Sequence, residues 1–137
     1  MRGNPGGRQI KPHEPKPVGD LKEPPAHFDA EMRTVWDYAI AHAPPGLLKR
    51  LDASVLETWC TAQVLHRRAL KAMGKQIVVN GSKRGVRVES PYLAILNRQA
   101  MIMLRAGEQL GFSPASRTRI SVPPKSNLGG WEDIAAG

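Results

Sequence analysis

Basic side chains are concentrated in one stretch of the sequence, between Thr58 and Val88, where no aspartate or glutamate occurs. Closely spaced positive charges without acidic neighbours favour binding of a polyanion, because they attract phosphate groups. A solvated basic surface without a partner is the alternative interpretation. The seven basic residues of this acid-free stretch, which form the candidate binding set, are Arg67, Arg68, Lys71, Lys75, Lys83, Arg84 and Arg87.

The composition of the 137-residue chain agrees with such a partner and limits the class of protein. Twenty Lys and Arg residues against twelve Asp and Glu residues give a net charge of +8 and a sequence pI near 10.2. A hydrophobic content of 41% and a mean hydropathy of −0.37 indicate one soluble globular domain. No apolar run approaches the roughly 18 residues of a membrane-spanning helix, and no secretory signal is visible, so we expect an intracellular protein.

Residue patterns that support catalysis are missing from the sequence. It contains no nucleotide-binding phosphate loop, no His-Glu-x-x-His pattern and no Gly-x-Ser-x-Gly pattern. The single cysteine, Cys60, excludes an intrachain disulfide and a multi-cysteine metal site, and its position beside Trp59 indicates a packing role. The sequence therefore predicts no catalytic residue, no metal ligand and no cofactor. The four histidines are isolated from one another: His13, His27, His42 and His66.

Both ends of the chain are predicted to be flexible. Residues 1–26 contain six prolines and four glycines, which do not support a packed helix or strand. Residues 122–137 lack a periodic apolar pattern, although Trp131 and Ile134 flank two acidic residues and form a candidate docking motif for a partner protein. Residues 27–121 are left as the folded core.

Capping residues predict three helices in that core. Asp29 caps the first helix, which runs to about Ala41, and Asp52 caps a longer helix over Ala53–Met73 that Gly74 terminates. At 100° per residue, one apolar face of the longer helix lies opposite its basic residues. This face consists of Val55, Trp59, Ala62, His66, Ala69, Leu70 and Met73.

A β-hairpin is predicted near residues 76–88, because two β-branched runs flank a turn rich in Asn and Gly, with Lys83 and Arg84 at its tip. Ser90 then caps the third helix, with Pro91 at its first position, and this helix ends at Gly111. A short helical turn over residues 115–120 follows. The main apolar face of the third helix consists of Leu93, Leu96, Ala100, Met103, Leu104 and Gly107.

A second strip on the third helix predicts self-association. Ile95 and Ile102 lie a heptad apart on a different side of the helix, flanked by Arg98 and Arg105. A single small core does not cover this outer strip, so contact between subunits is expected to cover it. The predicted fold is thus mainly α, with about three helices, one β-hairpin, flexible tails and assembly into an oligomer.

The order of these elements resembles that of the small terminase subunits of tailed bacteriophages. The chain has a Gly-Asn-Pro-Gly start at residues 3–6, a long helix, a hairpin and then Ser-Pro-Tyr-Leu at residues 90–93. The most specific resemblance is a closing motif of the form Leu-Gly-x-[Ser/Thr]-Pro-x-Ser-Arg. Its matched residues are Leu110, Gly111, Ser113, Pro114, Ser116 and Arg117.

The resemblance implies a non-catalytic component of a viral DNA-packaging motor in the cytoplasm of the infected host. Members of this family form rings, bind the packaging initiation site on viral DNA and present it to a large subunit with ATPase and nuclease activities. The seven basic residues of the acid-free stretch are then the DNA-binding set, contacting mostly phosphates. For Arg117 and Arg119, DNA contact and a capping or intersubunit role remain alternatives.

Two other classes of function remain open from the sequence. A stand-alone helix-turn-helix transcription regulator is the main alternative, with its helix pair drawn from residues 47–73. An RNA-binding protein is the other, although aromatic residues make up only 5% of the chain and form no stacking platform. Preference for duplex DNA over single-stranded RNA separates DNA binding from RNA binding.

Overall fold

The computed structural model describes residues 18–119, which form a mainly helical fold with one two-stranded hairpin. This confirms the predicted mainly α fold of about three helices and one β-hairpin. A 3₁₀ turn over Arg50–Asp52 precedes the second helix. The elements are α1 (Ala30–His42), α2 (Ala53–Met73), β1 (Val78–Asn80), β2 (Arg87–Glu89), α3 (Pro91–Leu110) and the short α4 (Pro114–Arg119).

The ends of α1 and α3 follow the predicted caps. The Asp29 carboxylate accepts a hydrogen bond of 3.0 Å from the Met32 amide, and the Ser90 hydroxyl accepts one from the Tyr92 amide. Gly111 ends α3 in the left-handed region, at φ +80°, where a residue with a Cβ is strained. Asp52 was predicted to cap α2, but its side chain instead accepts a 2.9 Å hydrogen bond from the Lys49 amide in the preceding turn.

Helix α2 is the centre of the fold, because it packs against both α1 and α3. Trp59, early in α2, lies beside Gly107, late in α3, while the hairpin joins the other ends of the two helices. The helices α2 and α3 therefore run antiparallel. The hairpin strands pair antiparallel with Val79 opposite Val88.

Two faces of α2 are buried, whereas the sequence predicted one. Ala62 and Ala69, from the predicted face, are buried as expected. The main hydrophobic cluster, however, joins α1 residues such as Trp36 to a different face of α2, formed by Leu56, Cys60 and Val64. The predicted positions of two leucines are wrong: Leu70 of α2 is 50% exposed and Leu104 of α3 is 61% exposed.

The predicted helix pair of a helix-turn-helix regulator is absent from residues 47–73. That region forms the 3₁₀ turn and then the single uninterrupted 21-residue helix α2. A helix-turn-helix motif needs two helices joined by a short turn, with the second helix free to enter a groove. The structure therefore removes the basis on which the regulator alternative was proposed.

Packing against the core begins before residue 27, where the sequence placed its start. Leu21 is buried in the main cluster, and its amide donates to the Leu48 carbonyl oxygen at 3.4 Å. The Trp36 indole Nε1 donates to the Lys22 carbonyl oxygen at 3.1 Å. Residues 1–17 of the predicted arm and the predicted tail at 122–137, including Trp131 and Ile134, lie outside the described residues.

Candidate nucleic-acid interface

The basic residues of α2 continue a face that is buried earlier in the same helix. Cys60 and Val64 belong to the cluster that α1 covers, and Arg67 and Lys71 follow Val64 by three and seven residues. At 3.6 residues per turn these positions share one side of the helix. Asp29, the residue before α1, lies beside Arg68, so α1 covers this side of α2 only as far as Arg68. Arg67 and Lys71 are exposed.

Arg68 is committed to a contact inside the chain. Its guanidinium Nη2 lies 2.5 Å from Asp29 Oδ2 and 3.6 Å from Glu31 Oε1, which joins α2 to the start of α1. The hydrogen bond from the Met32 amide and then that from Arg68 hold the pKa of Asp29 below its ordinary value. The Asp29 carboxylate correspondingly raises the pKa of Arg68. Two carboxylates thus offset the charge of Arg68, in contrast to its basic neighbours on α2.

The hairpin carries two further basic residues at its tip. The Gly81 amide donates to the Val86 carbonyl oxygen at 2.7 Å, and the Val86 amide donates to the Lys83 carbonyl oxygen at 3.1 Å, so the connecting loop is folded back on itself. Gly85 takes a positive φ of +83° in this loop. The side chains of Lys83 and Arg84 are exposed there, as the sequence predicted.

Arg87 stabilises the hairpin itself. Its guanidinium Nη2 donates to the Val78 carbonyl oxygen on the opposite strand at 3.2 Å, and its backbone pairs in register with Asn80. The residue is exposed, so its remaining N–H groups face solvent. The sequence placed Arg87 in the binding set, and the structure adds this contact across the hairpin.

Five members of the predicted binding set differ from Arg68 and Arg87 in their surroundings. All five are exposed, and within residues 18–119 their side chains make neither an ion pair like that of Arg68 nor a hydrogen bond like that of Arg87. Two lie on the last two turns of α2, one directly follows Gly74, and two lie at the hairpin tip, so all five belong to elements that are consecutive along the chain. This distal basic group consists of Arg67, Lys71, Lys75, Lys83 and Arg84.

The outer strip of α3 is accessible in the single chain. Ile95 is 38% exposed, Ile102 is half-buried, and Arg98 and Arg105 are both exposed. Among the described residues, neither arginine is within ion-pair distance of a carboxylate. The predicted role of this strip in self-association remains a prediction.

The closing motif builds a local structure rather than an exposed reactive group. Ser113 Oγ accepts from the Ser116 amide, and Ser116 Oγ accepts from the Ser113 amide, each at 3.1 Å. Ser116 is buried, and Arg117 Nη1 donates to the Phe112 carbonyl oxygen at 3.0 Å. Phe112 in turn meets Trp59 of α2 edge to face, with ring centroids 5.0 Å apart. The reciprocal serine bonds are a capping arrangement that turns the chain from α3 into α4.

Cys60 has the environment of a packing residue. The side chain is fully buried, and burial raises the pKa of its thiol to about 12, so the nucleophilic thiolate is not populated near neutral pH. Across residues 18–119 no group of three or more His, Cys, Asp or Glu side chains is arranged to hold a metal ion. In the same part of the chain, no helix is both long and apolar enough to span a membrane.

Comparison with known proteins identifies the family. The family model described as phage terminase, small subunit, matches residues 33–127, which is more than half of the chain. The chain therefore belongs to the phage terminase small subunit family, as its resemblance to that family indicated, and its role is in phage DNA packaging. The matched range includes the distal basic group, the outer strip and the closing motif. Neither a curated protein nor a solved structure matches the chain.

The Arg68 contact is the main feature of this region that the sequence analysis missed. Asp29 and Glu31 lie at the start of α1, where the helix dipole and the free amides already favour carboxylates, so their presence did not point to a partner on α2. Nothing in the sequence pattern says which of the basic residues of α2 reaches them. That choice depends on how α1 packs across α2, which only the structure gives.

Proposed function

We propose that this chain is the non-catalytic subunit that recognises viral duplex DNA at the start of genome packaging, in the host cytoplasm. The observation that supports this proposal most strongly is the distal basic group: five exposed positive charges, without a carboxylate partner among the described residues, in a member of a DNA-packaging family. Exposed charges of this kind bind phosphates and release counterions from DNA.

The arrangement of the group suggests how duplex DNA is contacted. Arg67 and Lys71 are one turn apart on α2, so they contact neighbouring phosphates along one backbone strand. Lys83 and Arg84 extend this contact from the hairpin, and a two-stranded ribbon has the dimensions to approach the major groove. Arg68 contributes indirectly, because its contact with Asp29 fixes α1 against the helix that carries the binding residues.

Assembly and communication with the motor complete the proposal. Copies of the chain form a homo-oligomeric ring through surfaces that include the outer strip of α3, and the ring combines weak phosphate contacts by multivalency. The ring presents DNA to the large terminase subunit and regulates its ATPase and nuclease activities. The C-terminal segment with Trp131 and Ile134, which lies outside the described residues, is the proposed docking site for that subunit.

Duplex preference tests the DNA-recognition proposal. Fluorescence anisotropy would measure binding of the full chain to a labelled duplex of phage DNA and to a single-stranded RNA of the same length. We expect tighter binding to the duplex, with an affinity that falls steeply as salt is raised. Equal affinity for the RNA, or no duplex binding at about 0.1 M salt, would contradict the proposal.

Regulation of the motor needs a separate measurement. The rate of ATP hydrolysis by the large subunit would be recorded with duplex DNA, in the presence and absence of this chain. We expect the chain to change that rate, and a variant truncated before Trp131 to lose the effect while it keeps its duplex affinity. An unchanged rate with the full chain would contradict a regulatory role.

A further inference from the structure

The outer strip of α3 needs a partner surface of opposite charge. Ile95 and Ile102 supply apolar contact area, and Arg98 and Arg105 place two positive charges within the same eleven-residue span. If two copies paired strip to strip, the four arginines would face one another and repel. The strip therefore favours a different, acidic surface of a second copy over a copy of itself.

Most acidic residues of residues 18–119 are already engaged. Asp20 pairs with Lys49, and Asp29 and Glu31 pair with Arg68. Glu57 pairs with His27, and the Asp52 carboxylate accepts a hydrogen bond from the Lys49 amide. The acidic residues left without such a partner in this part of the chain are Glu23, Asp37, Glu89 and Glu108.

Of these four, Asp37 alone lies on a long helix other than α3. Glu108 is on α3 itself, Glu89 ends the hairpin two residues after Arg87, and Glu23 precedes α1. Asp37 is exposed on the side of α1 opposite Val35, Trp36 and Ala39, which are buried. It is therefore the carboxylate best placed to meet a second helix.

The surface around Asp37 suits a packed helix in other respects. Tyr38 is 61% exposed and adds an aromatic ring, which stacks on His42 with centroids 4.1 Å apart and can receive a guanidinium. Ala30, Thr34 and Ala41 share the heptad spacing of Asp37 and are small enough for close approach. At 1.5 Å per residue this stripe spans about 17 Å and the outer strip of α3 spans about 15 Å, so their lengths match.

The order of helices places the two surfaces on different flanks of the chain. Helix α2 packs against both of the others: Cys60 and Val64 belong to the cluster shared with α1, and Trp59, on another side of α2, lies beside Gly107 of α3. We propose that the outer strip of α3 packs against the exposed face of α1 in the next copy, with Arg98 and Arg105 around Asp37. Such a head-to-tail contact repeats around a closed ring. The inference rests on the homo-oligomer of the proposed function and adds the surfaces that form it.

Charge reversal tests the proposed contact through the native mass, measured by light scattering after size exclusion. Asp37→Arg, and separately Arg98→Glu with Arg105→Glu, should reduce the oligomer toward the 15.0 kDa chain, while the combined triple variant should recover the wild-type mass. Glu23→Arg is the matched control, because it reverses another exposed, unpaired charge away from α1, and it should leave the mass unchanged. Circular dichroism on each variant would verify that the helices are retained.

The possible outcomes separate this inference from the function on which it rests. A wild-type oligomer whose mass resists Asp37→Arg would overturn the interface and leave the oligomer in place. A triple variant that stays dissociated would also overturn the pairing of these two surfaces. A wild-type chain that is itself 15.0 kDa would overturn the ring along with the interface, while the duplex affinity of the same sample would still report DNA recognition.

Discussion

The hairpin tip offers the cleanest test of the binding set, because its charges can be removed without disturbing the core. Lys83 and Arg84 are exposed, and within the described part of the chain their charged groups have no carboxylate partner. The hydrogen bonds that shape the loop use backbone atoms of Gly81, Lys83 and Val86. Lys83→Ala together with Arg84→Ala should therefore leave the fold intact.

The magnitude of the effect follows from counterion release. Each phosphate contact contributes about 0.9 to the slope of log affinity against log salt, so two lost contacts lower the slope by about 1.8. Over the tenfold range from about 1 M to about 0.1 M salt, a slope difference of about 1.8 corresponds to a factor of roughly 60. At about 0.1 M salt the double variant should therefore bind the duplex roughly 60-fold more weakly than wild type. Fluorescence anisotropy over a salt series would give both quantities from one set of samples.

A matched variant distinguishes a local contact from a general loss of charge. Lys22→Ala with Arg50→Ala also removes two exposed positive charges, but both residues lie outside the acid-free stretch. We expect this control to keep a slope within about half a unit of wild type, because it removes no phosphate contact. Equal losses in the two variants, or an unchanged slope in the hairpin variant, would refute the assignment of the tip to DNA.

Three further predictions concern the fold that supports the site. Gly111→Ala should destabilise the chain by roughly 1–2 kcal/mol in urea unfolding, because Gly111 has a φ of +80°. Gly107→Ala is the control and should not destabilise it, since the new Cβ would lie at an ordinary contact distance of 3.5 Å from Trp59 Nε1. Equal losses of stability in the two variants would contradict the role of backbone strain at Gly111. The pKa of Asp29 is lowered in the folded chain, so its carboxylate stabilises the fold at pH values above its ordinary pKa of 3.8. That stabilisation is lost as the pH falls through the pKa of the folded state. Asp29→Asn should therefore flatten the acid side of a plot of thermal midpoint against pH. An unchanged profile would remove Asp29 from the acid response. The Cys60 thiol, with a pKa of about 12, should resist a thiol reagent at about pH 8 until denaturant is added, and immediate labelling would contradict its burial.

The elements of this fold were predictable where a local signal determines them. Asp29, Ser90 and Gly111 each mark a helix end by their own side chain or backbone, so the structure reproduces the boundaries predicted from them. The predicted capping role of Asp52 is wrong because its carboxylate accepts from the Lys49 amide in the preceding turn and makes no capping hydrogen bond to α2. Local signals thus predict the existence of an element better than the partner of a particular side chain.

Packing between helices was harder to predict, for a physical reason. A helix that lies between two others has two buried faces, while a search for one apolar stripe finds only one. The stripe found in α2 contained Ala62 and Ala69, and the second face, with Leu56 and Val64, was missed. The basic set was predictable as a stretch of sequence, but the commitment of Arg68 to α1 depends on that second face.

Lysine footprinting of the wild-type chain tests whether DNA binds at the distal basic group, because it reports where on the protein the DNA lies. Acetylation with and without duplex DNA would be quantified by mass spectrometry at each of the five lysines of the described residues. We expect protection of Lys71, Lys75 and Lys83, and no protection of Lys22 and Lys49, which lie outside the acid-free stretch. Protection of Lys22 and Lys49 alone, with the other three lysines still reactive, would contradict this expectation.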